Sequence, residues 1–502
     1  MSFSISSITI FIQILLLPFI AVLNLLINKK CKRKNINFYS ILLALVLNNA
    51  VWIPHIINDI NKEITIFSIS NGTFIIIDLI YFLGLILLIF SKNEFDEFES
   101  DKISDCLLLI IISNFIGMIV TLNLIALISC FLTITILLGI IFFTGEYKKE
   151  FNILKFYFIS IIFIVIFLAF SIIIIFFESN TLLLNEIDSF QLSEISNILI
   201  SLFLILGISI PFGILPFSIY HLRNYFQNSS YTQLFLYSLF NYISMFSLIR
   251  ILKLFTFSLI FNGFIIFSLS SVSLIISLFY IITELFTNFD GKTYSIKKIF
   301  GYSIMSDYNL FLLLFSILSF MNIENNTFYF ESLIFFMFIN MFSKFLVFYT
   351  LYPVTLETYE DNLRILGDFW KKYKLFGIAL FISGICFIVP LGLSGIFNLL
   401  YINTLNEFNM NSLLKLIGTL TFSLFMLYLF TSLTFISTFF TRIYFKNNVE
   451  YLERKNIKEM SINYFFPILV FYALIITYII VFVLNNNILF ELFRDFFIIA
   501  EL

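Results

Sequence analysis

Residues 152–177, NILKFYFISIIFIVIFLAFSIIIIFF, determine the class of fold. About 20 apolar residues span the hydrocarbon core of a bilayer, so this stretch predicts a transmembrane α-helix. The whole chain of 502 residues has the same character, being 60% hydrophobic and 12% charged, with a mean hydropathy of +1.03. Because a water-facing surface needs about 25% charged residues, the composition excludes a soluble protein and predicts an all-α polytopic membrane protein.

Charged or Asn-rich breaks divide the chain into about fourteen apolar segments of spanning length. The predicted spans are 5–27, 38–57, 66–90, 106–122, 123–143, 152–177, 197–220, 232–256, 258–286, 299–321, 329–352, 375–402, 413–442 and 461–484. The tail, 485–502, is too short and charged to span, and its helical spacing predicts an interfacial helix.

The distribution of charge predicts how the helices are oriented. Basic residues collect in the odd-numbered loops, such as residues 29–34, whereas the sixth loop is purely acidic. By the positive-inside rule, the odd loops face the matrix or cytoplasm and both termini face the opposite side.

The composition also excludes several kinds of chemistry. The net charge of −2 offers no basic face for nucleic acid. The four cysteines form no CxxC pair, the two histidines are far apart, and no Gly-rich phosphate loop occurs. The sequence therefore predicts no metal and no cofactor bound by this chain. Few Gly and Pro beside abundant Ile, Phe, Asn and Lys indicate an AT-rich genome, as in some mitochondria, bacteria and archaea.

Three stretches carry a resemblance to a known family. They are PFSIYHLRNYFQNSSYTQLFLYSLFNYISMFSLIR at 216–250, IKKIFGYSIMSDYNLFLL at 296–313 and SGICFIVPLGLSGIFNLLY at 383–401. In this order they resemble the antiporter-like membrane subunits of respiratory complex I, membrane-bound hydrogenases and Mrp-type antiporters. The family positions that they keep include Pro216, Arg250, Lys297, Lys298, Tyr302, Gly384, Pro390 and Gly395.

The resemblance implies an architecture of fourteen helices with inverted five-helix repeats. It implies that helices 7 and 12 are broken, at Pro211 and Pro216 and at Pro390 and Gly395. The implied domains are helices 1–3 (1–105), a first repeat of helices 4–8 (106–256), a second repeat of helices 9–12 ending with helix 13 (257–402), and C-terminal helices with the tail (403–502).

Within the family, the chain most resembles subunit 2 of NADH:ubiquinone oxidoreductase from an AT-rich mitochondrial genome. This implies a multi-pass protein of the inner mitochondrial membrane, with both termini on the intermembrane-space side. The implied partners are other membrane-arm subunits and lipids such as cardiolipin. The chain would then have no chemistry of its own but would belong to an H+-translocating NADH:ubiquinone reductase. The alternatives are a stand-alone or Mrp/hydrogenase-type cation/proton antiporter, and a bacterial or archaeal plasma membrane.

The sequence departs from the family at the residues that carry protons. The family uses a Glu on helix 5 and lysines on helices 7, 8 and 12. Here no charged residue occurs between positions 106 and 145, and Pro211, Asn241 and Leu399 occupy the three lysine positions. The resemblance therefore implies that the usual proton path is incomplete.

The remaining intramembrane charges leave two interpretations open. Lys344, within the apolar stretch 336–350, is either a substitute proton relay or a structural cation that pairs with a helix or a neighbouring subunit. Asp307 is either a relay or the cap of a broken helix. The full set of candidate path or intramembrane polar residues is Lys344, Asp307, Asn241, Lys253, Glu284, Lys297 and Lys298.

Other polar residues are expected to have structural roles. Lys253 and Glu284 lie near predicted helix ends and are expected to reach the interface. Asp78 and Lys155, also within or near the membrane, are expected to pair structurally. His221 is expected to be a loop histidine.

Overall fold

The protein was analysed as a computed structural model. The structure describes residues 5–25, 30–57, 71–94, 101–144, 151–184, 186–187, 192–214, 231–252, 259–286, 296–319, 337–338, 340–347, 350, 374, 377–378, 380–384 and 412–445.

The described part of the chain is almost entirely α-helical. Its named helices are α1 (Ile5–Leu25), α2 (Lys30–Ile57), α3 (Asn71–Glu94), α4 (Asp101–Val120), α5 (Leu124–Thr144), α6 (Phe151–Ser179), α7 (Glu194–Ser209), α8 (Tyr231–Leu252), α9 (Leu259–Phe286), α10 (Ile296–Ser319) and α11 (Ser412–Phe445). Residues 340–347 form a further helical segment. The described residues contain no β-strand, and only one isolated antiparallel bridge, between Asn123 and Leu183.

Six helical stretches of the described residues are long and apolar enough to cross a membrane. They are Leu124–Ile141, Tyr157–Ser179, Glu194–Phe212, Gly263–Leu285, Ile296–Ile317 and Leu416–Phe435. The prediction of an all-α polytopic membrane protein is therefore confirmed. The count of fourteen helices, the inverted repeats and the domain boundaries stay predictions.

Several helices begin earlier than the hydropathy breaks indicated, and α2 and α10 among them take basic residues into their first turns. The second span was expected from residue 38, yet α2 begins at Lys30 and takes most of the basic cluster into its first turns. Likewise, Lys297 and Lys298 were expected in a loop but lie in the first turn of α10. At 1.5 Å per residue, α2 is about 42 Å long and exceeds the hydrocarbon core, so its charged end extends into the headgroup region. Hydropathy marks the edge of the apolar core, whereas the backbone hydrogen bonds continue past it.

The chain forms two compact units. The first contains α1–α7 and the part of α8 from Phe235 onward; the second contains the part of α9 from Asn262 onward, α10, residues 340–347 and α11. In the first unit α6 packs on α7, and α4 packs on both α1 and α5. In the second unit α10 packs on α11.

The described helices are arranged with polar residues inside. The least apolar of the six spanning stretches, on α10, is almost entirely buried, whereas on the most apolar stretch, on α6, only about a third of the positions are buried. On α6 the exposed residues include Phe158, Ile162 and Phe177. Lipid is as apolar as these side chains, so they lose nothing by facing it, while the polar groups of α10 find partners inside the protein.

Arg250 of the 216–250 stretch has a structural role in the first unit. It lies in the last turn of α8 and is 1% exposed. Its Nη1 donates to the carbonyl oxygen of Ile119 at 2.7 Å, in the last turn of α4. The last carbonyls of a helix have no partner within it and carry partial negative charge, so the guanidinium stabilises the end of α4.

The helix α7 ends just before Pro211, and the break expected in helix 7 stays a prediction, because residues 215–230 lie outside the described residues. The α-helix ends at Ser209 and is followed by a 3₁₀ turn, Ile210–Phe212. Gly213 then takes φ +92°, a conformation that L side chains rarely adopt. Pro211 has no N–H to donate and ends the regular hydrogen bonding, and Gly213 turns the chain. Pro216, Pro390 and Gly395 lie outside the described residues, so the break in helix 12 stays a prediction.

Replacing Gly213 with Ala is expected to destabilise the protein. A Cβ at this position would overlap the terminal methyl of Met305, and the left-handed conformation adds a cost of about 1–2 kcal/mol. The apparent Tm of the purified protein in detergent should fall. Met305→Ala introduced into Gly213→Ala should restore only the part that is due to overlap, with Met305→Ala alone as the reference. An unchanged Tm in Gly213→Ala would show that the turn does not require glycine.

Candidate functional site

The centre of the candidate site is an ion pair within the second unit. The Nζ atom of Lys344, on the helical segment 340–347, pairs with Oδ2 of Asp307, on α10. Lys344 is 0% exposed and Asp307 is 1% exposed, so both charged groups lie away from solvent. Such a pair is stable only if its remaining hydrogen-bonding groups are also satisfied.

Backbone and hydroxyl groups complete the surroundings of the pair. Lys344 Nζ also donates to the carbonyl oxygen of Ser303 at 2.7 Å, one turn before Asp307 on α10. The same carbonyl accepts from the hydroxyl of Ser306 at 2.8 Å. The lysine thus binds both a side chain and the backbone of α10, which fixes the segment 340–347 against that helix.

Tyr428 connects the pair to α11. Tyr428 is 1% exposed, and its hydroxyl donates to Oδ1 of Asp307 at 2.5 Å. Both carboxylate oxygens of Asp307 therefore have a donor, the ammonium on one and the phenol on the other. Three helical segments that are distant in sequence meet at one carboxylate.

The position of Asp307 in its helix tests one of the two interpretations of this residue, that of a helix cap. It lies in the middle of α10, which runs without interruption from Ile296 to Ser319. The expectation that Asp307 caps a broken helix is wrong, because a cap needs a free helix end and no such end occurs there. The carboxylate instead acts as the counter-charge of Lys344.

Buried pairs of this kind are costly to break but not necessarily stabilising. Removing one partner leaves an uncompensated buried charge and typically costs about 3–5 kcal/mol, whereas replacing both with apolar groups is often neutral. Chemically, the pair can exist as ammonium and carboxylate or, after one proton moves, as amine and carboxylic acid. Net movement of protons would also require an acceptor and a donor on either side.

A second polar contact lies near the start of α10. Lys298 Nζ is 3.8 Å from Oε1 of Glu284, which lies near the end of α9. Next to this contact, the ring of Tyr280, one turn before Glu284 on α9, stacks on the ring of Tyr302, one turn after Lys298 on α10, with centroids 5.1 Å apart. Glu284 thus pairs with a cation near the end of α9, and the contact joins α9 to α10. Lys297 lies beside Lys298 and is partly buried.

In the first unit, neutral residues occupy two of the family's lysine positions, Pro211 and Asn241. Asn241 lies in the middle of α8 and is fully buried, and its carbonyl oxygen accepts from the hydroxyl of Ser244 at 2.8 Å. The carbonyl of Pro211 accepts from the hydroxyl of Tyr237 on α8. Lys155, expected to pair structurally, is exposed near the start of α6. Asp78 accepts hydrogen bonds from asparagine side chains of α2.

Some predicted site residues lie outside the described residues. These are Lys253, His221, Leu399, Pro216, Pro390 and Gly395. Of the remaining candidates, the structure brings together Lys344 with Asp307 and Glu284 with Lys298.

Sequence reasoning missed Tyr428 and the carbonyl of Ser303. Tyr428 lies in an ordinary apolar stretch of α11, 121 positions from Asp307, and no motif marks it. A backbone carbonyl carries no signal in the sequence. The one available clue was indirect: a buried carboxylate with two oxygens needs more than one donor.

Solved structures with a similar fold come from respiratory membrane complexes. One is a chain of the membrane-bound sulfane sulfur reductase (MBS), an archaeal respiratory membrane complex, with a TM-score of 0.74, 15% identity, and 98% of each chain covered. Another is a chain of respiratory complex I from Thermus thermophilus with bound Aureothin, with a TM-score of 0.58, 12% identity, and 84% of this chain and 88% of that chain covered. At these identities the likeness shows the fold. No curated protein matches the chain by sequence.

A family model gives the stronger assignment. The model described as NADH:quinone oxidoreductase/Mrp antiporter, TM, matches residues 123–423, a range that includes all three stretches of the sequence resemblance. It also includes Asp307 and Lys344. Because the match covers more than half of the chain, this protein belongs to the NADH:quinone oxidoreductase/Mrp antiporter transmembrane family.

Proposed function

We propose that this chain is a membrane-arm subunit of a proton-pumping respiratory complex, namely subunit 2 of NADH:ubiquinone oxidoreductase in the inner mitochondrial membrane. Membership of the family supports the antiporter-like architecture, and both similar structures reported above come from respiratory membrane complexes. The AT-rich composition supports the organellar origin. In this proposal the chain binds no cofactor, and electron transfer takes place in partner subunits.

We further propose that the proton path of this subunit is incomplete. The observation that carries this is the pairing of Lys344, the most deeply buried lysine of the described residues, with a carboxylate of the same chain. Because the two charges balance each other, the pair needs no third charge to be stable, and a proton path through it would require a donor and an acceptor on either side. In addition, α5 contains no acidic or basic residue, and Asn241 on α8 does not titrate.

The pair would then have a scaffolding role. Asp307, Lys344 and Tyr428 hold α10, the segment 340–347 and α11 in one arrangement. A subunit in a membrane arm is in contact with subunits on either side. A rigid junction between its own helices would keep those contact surfaces in place, and this role requires no proton transport.

A second candidate is a subunit of a different complex of the same family, of the Mrp or hydrogenase type. The observation that favours it is the match to the archaeal sulfane sulfur reductase, which covers 98% of both chains, against 84% of this chain for complex I. A bacterial or archaeal plasma membrane would replace the mitochondrial one. The same pairing of Lys344 applies in either complex.

The partner proteins test which complex contains this chain. After gentle detergent extraction and affinity purification through a tag on this chain, we expect NADH-oxidising and quinone-binding subunits in the eluate, identified by mass spectrometry. Sulfur-reducing or hydrogenase subunits would instead support the second candidate. Recovery of this chain alone, at 58.9 kDa, would contradict both and favour a free-standing transporter.

Substitutions in the ion pair test whether it is structural. Lys344→Met and Asp307→Asn should each cost about 3–5 kcal/mol and reduce assembly of the complex, because each leaves one buried group unbalanced. The double variant Lys344→Met/Asp307→Asn should recover most of the loss, since no buried charge remains. Assembly is measured by native electrophoresis of solubilised membranes.

Tyr428→Phe provides the matched control. It removes one donor to Asp307 but no charge, so its cost should be about 1 kcal/mol and assembly should persist. In each variant complex that assembles, the number of protons pumped per electron pair should equal that of the wild type. A lower ratio in an assembled Lys344→Met complex would contradict the incomplete path and assign a relay to the pair.

A further inference from the structure

The first unit contains a carboxylate that no cation of the described residues balances. Asp78 on α3 accepts from Nδ2 of Asn48 at 2.8 Å and from Nδ2 of Asn49 at 3.2 Å, both on α2. Both bonds reach the same oxygen, Oδ1. The ion pairs in which both partners are described residues are those of Lys298 with Glu284 and of Lys344 with Asp307. Asp78 therefore differs from Asp307, whose charge is matched within the chain.

The carboxylate lies within the apolar part of its helix. Asp78 is the only charged residue of the stretch 64–91 and lies near its middle, which places it at the depth of the hydrocarbon core. At this depth the carboxylate lies below the lipid headgroups, so the ammonium group of a lipid cannot balance its charge. An ionised carboxylate facing hydrocarbon at this depth is strongly disfavoured.

Asp78 also lies on a partly exposed face. The partly accessible residues of this face of α3 are Ile75, Asp78, Leu79, Phe82 and Leu85. Their spacing of three or four positions places them on one side of the helix. On α2, Val46 is exposed and Asn49 is partly accessible. The chain thus presents a shallow apolar surface with one carboxylate in it, which we call the Asp78 face.

One carboxylate oxygen of Asp78 and one buried amide oxygen behind it have no donor among the described residues. No described group donates to Oδ2 of Asp78, and Oδ1 of Asn48, on a residue that is 0% exposed, has no partner among the described residues. A polar contact between two helices of the same unit is that of Ser113 on α4, whose hydroxyl donates to the carbonyl oxygen of Ile14 on α1 at 2.6 Å. A group with several donors and no acceptor would satisfy the Asp78 face, and Lys and Arg are the side chains of that kind.

From this charge complementarity we propose that the Asp78 face binds a transmembrane helix of a neighbouring subunit, and that this helix carries a Lys or Arg side chain at the depth of Asp78. The apolar residues around Asp78 would pack against the partner helix, and the cation would pair with the carboxylate. The inference rests on the proposed function, because it requires that the chain be part of a complex. Beyond the proposed function, it specifies where one contact with a partner subunit lies and which charged groups form it.

Co-purification of charge variants tests the proposal. The complex is purified through a tag on this chain, and the amount of each partner subunit is measured by mass spectrometry. Asp78→Asn should reduce recovery of one neighbouring subunit at least about tenfold, because it leaves that subunit's cation unpaired in the membrane. Glu186→Gln, which removes one negative charge in an exposed loop, should leave recovery unchanged.

A photo-crosslinking residue in place of exposed Val46 identifies the partner without altering Asp78. The expected product joins this chain to a peptide from an apolar helix of another subunit, with a Lys or Arg within two turns of the crosslink. Replacing that cation with Asp should restore recovery in Asp78→Lys. A crosslink only to lipid or to this chain itself would overturn the proposal.

The outcomes separate this inference from the proposed function. If the wild-type chain is recovered alone, the proposed function fails and the inference fails with it. If the wild-type complex is recovered and Asp78→Asn retains every partner at the wild-type level, only the inference fails. If Asp78→Asn also lowers the Tm of this chain when it is purified alone, the crosslink decides between a partner contact and an internal role.

Discussion

A lysine ammonium and an aspartate carboxylate that are both withdrawn from water must stay together, and the second unit is arranged around that requirement. Lys344 and Asp307 are 0% and 1% exposed, and separating them would leave two charges in a medium of low dielectric constant. The carbonyl of Ser303 and the hydroxyl of Tyr428 complete their hydrogen bonds. Consequently α10, the segment 340–347 and α11 can occupy few other relative positions.

The same requirement explains which helices are inside. α10 carries the carboxylate, several hydroxyls and an amide, and it is almost entirely buried, whereas only about a third of the positions on the more apolar α6 are buried. In lipid there is no hydrophobic force that drives apolar helices together, so packing and internal hydrogen bonds determine the arrangement. Asp78 differs from Asp307, because its carboxylate is partly exposed and has only amide partners among the described residues.

The fold class could be predicted from composition alone, and the family from three short stretches, because apolar length and helix-breaking residues are local properties. Lys344 and Asp307 could be singled out because a charge in an apolar run is rare. Their pairing could not be predicted, since it depends on how two helices pack. Of the two interpretations left open for Asp307, the helix cap does not fit, because α10 continues through it without interruption. Tyr428 carried no sequence signal at all. The early starts of α2 and α10 were missed because hydropathy reports the bilayer edge and not the helix end.

The central claim is that Asp307 keeps its charge during turnover, paired with Lys344, and exchanges no proton. Redox-triggered infrared difference spectroscopy on the purified complex measures this directly, because a carboxyl group that gains or loses a proton changes its stretching band. The spectrum of the wild-type complex is compared with that of an Asp307→Glu complex, in which the charge is kept but a carboxyl band would shift. The account predicts that the two difference spectra agree in the carboxylic-acid region. A band in the wild-type spectrum that shifts in Asp307→Glu would show that Asp307 takes up and releases a proton, and would contradict the account.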